Sequence, residues 1–140
     1  MGRGELDIAV KEYTVGIEKL EEQKEMVLET PALKELLLQW HNNRALTYLK
    51  LGNNEDAKVD SEYILTSLDP NNTKALHRAG KSNANLGFYT KALEYYKKAA
   101  ETDKSEIIAK DIADVEKRLA EKPYLEAKEG SNKPEESQQP

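Results

Sequence analysis

Apolar positions in this chain recur with helical spacing, and no stretch shows the alternation of a half-buried strand. The clearest stripe consists of Ile108, Ile112, Val115 and Leu119 at i, i+4, i+7 and i+11. This spacing places one apolar face on an otherwise charged helix. Long stretches between the glycines and prolines are rich in Ala, Leu, Lys and Glu, which are good helix formers. The pattern predicts an all-α fold.

Turn-forming residues mark the ends of the helices. Thr30-Pro31 is typical of an N-cap followed by proline at the first helical position. Leu51-Gly52, Asp69-Pro70 and Leu86-Gly87 are typical of short connectors. We therefore predict helices at about 6–28, 31–51, 54–67, 73–86, 89–102 and 105–121. Such short connectors make successive helices fold back as antiparallel neighbours.

The composition changes after Lys122. Residues 130–140 are Gly, Ser, Asn, Lys, Pro, Glu and Gln, with no apolar side chain to bury. We therefore predict one folded domain over 1–122 and a largely disordered tail over 123–140.

Three stretches of the chain share one spacing of small and large residues, with a period of 34 residues. Small residues at positions 8 and 20 let two antiparallel helices approach, and large ones at positions 4, 11 and 24 fill the space beside them. The matching residues are Gly4, Ala9 and Tyr13 in the first unit, Ala45, Tyr48, Gly52 and Ala57 in the second, and Leu76, Ala79, Gly80, Gly87, Ala92, Tyr96 and Ala99 in the third.

This pattern resembles the tetratricopeptide repeat (TPR) family over about residues 3–106, and the segment 69–72 is similar to the end of a repeat in that family. The resemblance implies a right-handed superhelical solenoid of antiparallel helix pairs, with about two and a half repeats. In this frame the second helix of repeat one lies at about 6–28, repeat two at about 31–72 and repeat three at 73–106. The first helix of repeat one is missing from the frame.

The two ends of the predicted solenoid differ in whether a neighbouring helix covers their apolar faces. The amphipathic helix 105–121 is expected to cap the last repeat, with docking of a partner on its apolar face as the alternative. At the other end, the helix 6–28 lacks its partner helix. We therefore expect fraying or self-association through an uncovered face that contains Ile8, Tyr13, Ile17 and Leu20.

The overall charge excludes several classes of function. The 140 residues include 21 Lys+Arg and 26 Asp+Glu, for a formal net charge of −5, which argues against a nucleic-acid partner. The longest apolar run, 36–38, is far shorter than the roughly 20 residues that span a bilayer. No apolar stretch of a secretory signal follows Met1, and we predict a cytoplasmic protein.

Groups suited to catalysis are scarce. The absence of cysteine excludes disulfides, thiol catalysis and cysteine zinc sites. His41 and His77 have Asn, Lys and Arg as neighbours, which predicts surface or groove positions and no metal site. Trp40 is assigned to packing, with contact to a bound peptide as the alternative. We predict no enzymatic activity and no cofactor.

A basic stripe is the strongest candidate for a binding site. Lys74, Arg78 and Lys81 recur at i, i+4 and i+7, with His77 beside them. A solvated helix face is the simplest interpretation of such a stripe. In a chain of net charge −5, however, like charges at this spacing favour anion binding.

The segment 42–45, Asn-Asn-Arg-Ala, resembles the co-chaperone class of TPR proteins, and 73–78 is similar to the corresponding stretch of immunophilin co-chaperones. Members of this class hold the C-terminal Glu-Glu-Val-Asp of heat-shock chaperones in a five-residue carboxylate clamp. The resemblance implies that Asn43, Lys74 and Arg78 match three clamp residues, while the other two belong to the helix missing from the frame. Lys50, Lys81 and His77 complete the predicted peptide-binding set.

The sequence thus predicts an adaptor that captures the acidic C-terminal peptide of a heat-shock chaperone or another acidic protein segment. One alternative is a TPR scaffold that assembles another protein complex. A second alternative is the TPR segment of a larger enzyme such as a peptidyl-prolyl isomerase.

Overall fold

The computed structural model describes residues 2–121. Its α-helices are α1 (Arg3–Glu21), α2 (Lys24–Glu29), α3 (Pro31–Leu51), α4 (Asn54–Tyr63), α5 (Thr73–Asn85), α6 (Tyr89–Ala99) and α7 (Glu106–Glu121). A π-helical turn, Ile64–Leu68, extends α4. The long helices pack side by side in the order α1, α3, α4, α5, α6 and α7. The predicted all-α solenoid is confirmed, and the predicted tail 123–140 lies outside the described residues.

The first predicted helix, 6–28, is wrong as a single element, because the structure contains α1 and the short α2 instead. Gln23 leaves helical geometry with φ −120° and ψ 42°. The break redirects the last turn, so that Val27 is fully buried against Ile17 and Leu37. Burying an additional Val side chain stabilises the fold by about 1.5–3 kcal/mol, which offsets the lost helical hydrogen bonds.

Three of the helix ends predicted from the sequence are present in the structure, but each is formed by different hydrogen bonds or backbone geometry. Thr30 stands before Pro31 as expected, but its hydroxyl donates to the Met26 carbonyl at 2.7 Å and caps no N–H of α3. The side chain of Asn72 is a true cap, because its Oδ1 accepts the N–H of Ala75 at 2.9 Å. Gly52 ends α3 in the left-handed region with φ 81°, where a Cβ would be strained.

The helix α7 buries its apolar stripe within the chain. Ile108 packs with Leu76 and Ala99, and Val115 packs with Ala92 and Tyr96. The neighbouring Ile107 is 65% exposed, so the stripe is one-sided. The α7 stripe therefore covers the α5–α6 pair, and its apolar face is already occupied.

Two glycines allow helices to approach with an aromatic ring between them. A Cβ on Gly80 of α5 would lie 2.5 Å from the ring of Tyr96 on α6. A Cβ on Gly16 of α1 would lie 2.6 Å from the ring of Trp40 on α3. Trp40 is therefore a packing residue, as the sequence analysis favoured.

The exposed face of α1 is smaller than expected. Ile8 is 57% exposed, in agreement with an uncovered surface. Ile17 is 4% exposed, and Tyr13 and Leu20 pack against the same core. The expectation that Ile17 lies on an open face is wrong, because α3 covers that side of α1.

A buried carboxylate joins α4 to α3 and, through Arg44, to α1. Asp60 is 1% exposed and accepts from His41 Nδ1 at 2.9 Å and from Arg44 Nε and Nη2 at 2.7 and 2.6 Å. Arg44 Nη1 donates to Thr14 Oγ1 at 2.9 Å. Burial alone raises the pKa of Asp60, but the hydrogen bonds from Arg44 and His41 outweigh burial and hold that pKa below its usual range.

The close approach at Gly80 predicts a loss of stability on adding one methyl group. Gly80→Ala should lower the free energy of unfolding by about 1–3 kcal/mol, because overpacking outweighs the roughly 1 kcal/mol gain in helix propensity. Chemical denaturation measures the change. The control is Gly4→Ala in α1, where a Cβ would meet nothing within 4 Å. Equal losses for the two variants would contradict the packing argument.

The Asp60 cluster predicts both a mutational and a pH effect. Asp60→Asn should cost about 3 kcal/mol, because Arg44 would keep a partly buried charge without a carboxylate. Since the folded pKa is depressed, the contribution of Asp60 is complete above its unfolded pKa of about 3.9. It is lost as the pH falls through the lower folded value.

Denaturation at a series of pH values below about 4 tests this effect. The loss of stability should be steeper in the wild type than in Asp60→Asn. Glu94→Gln, an exposed change on α6, should follow the wild-type curve. Parallel curves for the wild type and Asp60→Asn would disprove the assignment.

Candidate functional site

The helices α3 and α5 both contribute to the walls of two open cavities, which are called here together the α3–α5 groove. The first cavity, of about 490 Å³, is lined by Glu35, Leu38, Gln39, Asn42, Asn43, Asn72, Thr73 and Lys74. The second, of about 310 Å³, is lined by Leu46, Leu49, Lys50, His77, Arg78 and Lys81. Asn43 and Lys74 thus line the first cavity, and the other four predicted residues line the second.

Arg78 lines the second cavity and is hydrogen-bonded to a residue that lines the first. Its Nη1 donates across the groove to the backbone carbonyl of Asn42 at 2.8 Å. Burial lowers the pKa of the Arg78 guanidinium, and no carboxylate among residues 2–121 forms an ion pair with it. The group stays charged, because an arginine remains protonated in proteins. Arg78 is therefore a partly desolvated cation whose partner is a neutral carbonyl.

Asn43 and Lys74 are both exposed and face the first cavity. Two nearby residues, Asn42 on α3 and Asn72 before α5, set the position of Asn43 relative to Lys74. Asn42 donates from Nδ2 to Asn72 Oδ1 at 3.0 Å, and the same oxygen caps the N-terminus of α5. The start of α5 is thereby held against α3, next to Asn43. Sequence reasoning did not assign this role to Asn42 or Asn72, although the segment 69–72 marked a helix start.

Lys50 is exposed in the last turn of α3. A cation there complements the negative end of the helix dipole. It forms no ion pair within the described part of the chain. Lys50 therefore adds positive charge to the rim of the second cavity.

His77 and Lys81 already face a carboxylate that the sequence analysis missed. His77 Nε2 lies 2.7 Å from Asp111 Oδ2, and Lys81 Nζ lies 3.9 Å from Asp111 Oδ1. A signal was present in the sequence, because Asp111 stands three residues after Ile108 and four before Val115, on the stripe that α7 buries. The basic stripe of α5 is thus partly neutralised by α7.

The groove combines cations, an amide and an apolar floor. Leu46 and Leu49 supply that floor in the second cavity. Arginine and lysine with an amide donor suit a carboxylate ligand. Within residues 2–121 no group of three His, Cys, Asp or Glu residues could hold a metal ion. None of the described helices is long and apolar enough to cross a membrane.

Comparison with known proteins adds one independent finding. No family model matches the chain. The chain is 33% identical over 99 residues to Tetratricopeptide repeat protein 12 of Mus musculus, which covers 71% of this chain and 12% of the mouse protein. The human protein of the same name is 35% identical over 98 residues, or 70% of this chain and 12% of that protein. The matched segment thus spans about an eighth of the length of these relatives.

Proposed function

With both relatives supporting the tetratricopeptide repeat family, we propose that this chain is a protein-interaction module whose α3–α5 groove binds the acidic C-terminal segment of a partner protein. The observation that carries the proposal is Arg78, a partly desolvated guanidinium without a carboxylate in the described part of the chain. Its charge is stabilised when a ligand brings a carboxylate into the groove.

Each polar group of the groove has a different role in binding the carboxylate. Arg78 keeps Nε and Nη2 for a ligand, since only Nη1 is occupied by the Asn42 carbonyl. Lys74 supplies a mobile point charge, and Asn43 supplies an amide donor at the same cavity. Lys50 adds attraction at longer range. Guanidinium, ammonium and amide groups are all donors that a terminal carboxylate accepts from.

The partner class rests on the resemblance of Asn43, Lys74 and Arg78 to the carboxylate clamp. We propose a cytoplasmic co-chaperone role, in which the ligand is the Glu-Glu-Val-Asp end of a heat-shock chaperone. Residues 2–121 supply three of the five clamp positions. The expected affinity is accordingly weak, in the range of hundreds of micromolar, or about −5 kcal/mol.

A peptide titration followed by NMR tests the proposal. The free acid Glu-Glu-Val-Asp should shift the signals of Asn43 and Arg78, whereas its C-terminal amide should bind more weakly. Arg78→Ala should cost about 2 kcal/mol, the lower end for a desolvated charge pair. Lys81→Ala should cost less, because Lys81 is half exposed and faces Asp111. Binding should weaken with added salt, which screens exposed charges over about 8 Å at physiological strength.

The matched control removes two cations elsewhere. Lys98→Ala/Lys117→Ala changes the net charge as much as Lys74→Ala/Arg78→Ala does, and neither Lys98 nor Lys117 lines the groove. The control should bind like the wild type, and the groove variant should show no measurable binding. If the amide binds as well as the acid, or the groove variant binds normally, the clamp assignment is wrong and the groove serves a different partner.

A further inference from the structure

Asp111 occupies an unusual place for a carboxylate. It lies on the buried stripe of α7 between Ile108 and Val115, which are 1% and 4% exposed, and its own side chain is 13% exposed. A charge at such a position is costly unless it is paired. The pairing comes from His77 and Lys81 of α5, two residues of the groove lining.

The position of Asp111 does not depend on that pairing. Ile108, Ile112 and Val115 fix the rotation of α7 through two apolar clusters that include Leu76, Ala99, Ala92 and Tyr96. Packing of its neighbours therefore places Asp111 beside the groove, in an adjoining cavity of about 310 Å³ that it shares with Lys81. Its carboxylate lies 2.7 Å from His77 Nε2 and 3.9 Å from Lys81 Nζ, and both of these residues line the second cavity of the groove.

The residues of the groove that suit anion binding thus form two sets, of which one is already paired with a carboxylate of this chain and the other is not. The set formed by His77 and Lys81 is occupied by the chain's own carboxylate. Lys74 and Arg78 of the other set, which also contains Asn43, form no ion pair with a carboxylate among residues 2–121, and Glu35 is the carboxylate that lines the first cavity beside Asn43 and Lys74.

We propose that Asp111 is a specificity-determining residue, which fills the anion position at His77 and Lys81 and leaves a ligand one vacant position at Asn43, Lys74 and Arg78. This inference rests on the proposed function of the groove. The favoured ligand is a segment that offers its C-terminal carboxylate to the vacant position. Carboxylates further along the ligand are not recognised, because Asp111 repels them from the second position.

Two peptides separate this selectivity from simple attraction. Glu-Glu-Val-Asp and Gln-Gln-Val-Asp share the C-terminal residue and differ in the carboxylates before it. The wild type should bind them within about twofold of each other. Asp111→Asn should bind Glu-Glu-Val-Asp about three- to tenfold more tightly than the wild type does, because His77 and Lys81 then no longer face the carboxylate of α7 and are free for a ligand carboxylate. Its affinity for Gln-Gln-Val-Asp should change by less than about twofold.

Two variants on the same helix serve as controls. Asp111→Glu keeps the charge and should keep the wild-type ratio of affinities. Asp114→Asn removes one exposed carboxylate that pairs with Lys110 and should also behave like the wild type. An equal gain for both peptides in Asp111→Asn, or no gain at all, would overturn the inference.

The test also distinguishes this inference from the proposed function. If the wild type binds neither peptide, or binds the amide as well as the acid, the proposed function fails whatever Asp111→Asn does. If Asp111→Asn does not fold by circular dichroism, Asp111→Ser replaces it. That variant should show the same selective gain for Glu-Glu-Val-Asp, since it also removes the carboxylate that engages His77 and Lys81. A folded Asp111→Ser without that selective gain would refute the occupancy by Asp111.

Discussion

The buried carboxylate of Asp60 is the constraint on which the groove depends. His41 and Arg44 lie three residues apart on α3 and both donate to it, which fixes the rotation of that helix. Side chains on an α-helix point about 100° apart from one residue to the next. Once His41 and Arg44 face α4, Asn42 and Asn43 must face α5, where one holds the start of that helix and the other lines the cavity. A structural ion cluster on one face of α3 thus sets which side chains the opposite face presents to the α3–α5 groove.

Arg44 and Arg78 show how one residue type serves two purposes. The hydrogen bond to Asp60 raises the pKa of Arg44 despite burial, so its charge is compensated inside the fold. Burial lowers the pKa of Arg78, because a neutral carbonyl cannot replace the lost water. The first arginine stabilises the protein without a ligand. The second keeps an uncompensated charge, which marks it as the group that gains most from an incoming carboxylate.

The sequence predicted the helices and their stacking, because small residues at fixed spacing and turn-forming connectors are local features. It failed where the outcome depends on a neighbouring element. The break at Gln23 follows from the burial of Val27, which only the α3 packing surface decides. Asp111 was overlooked because a stripe tells which face of α7 is buried, whereas the identity of the facing residues, His77 and Lys81, belongs to the three-dimensional arrangement. Asn42 and Asn43 are adjacent and chemically identical, so their different roles follow from the rotation of α3 alone.

A count of basic residues therefore overstates the binding capacity of this groove. Five basic side chains line its two cavities, yet two of them, His77 and Lys81, face the carboxylate of Asp111 on α7. The helix α7 thus does more than cover the α5–α6 pair, since the packing that buries its apolar stripe also places Asp111 against His77 and Lys81. In a solenoid, where each element contacts mainly its neighbours, a helix such as α7 acts mainly on the pair it packs against, here α5 and α6. Its apolar face satisfies the core, and a single polar residue on that face can alter the charge that a partner meets.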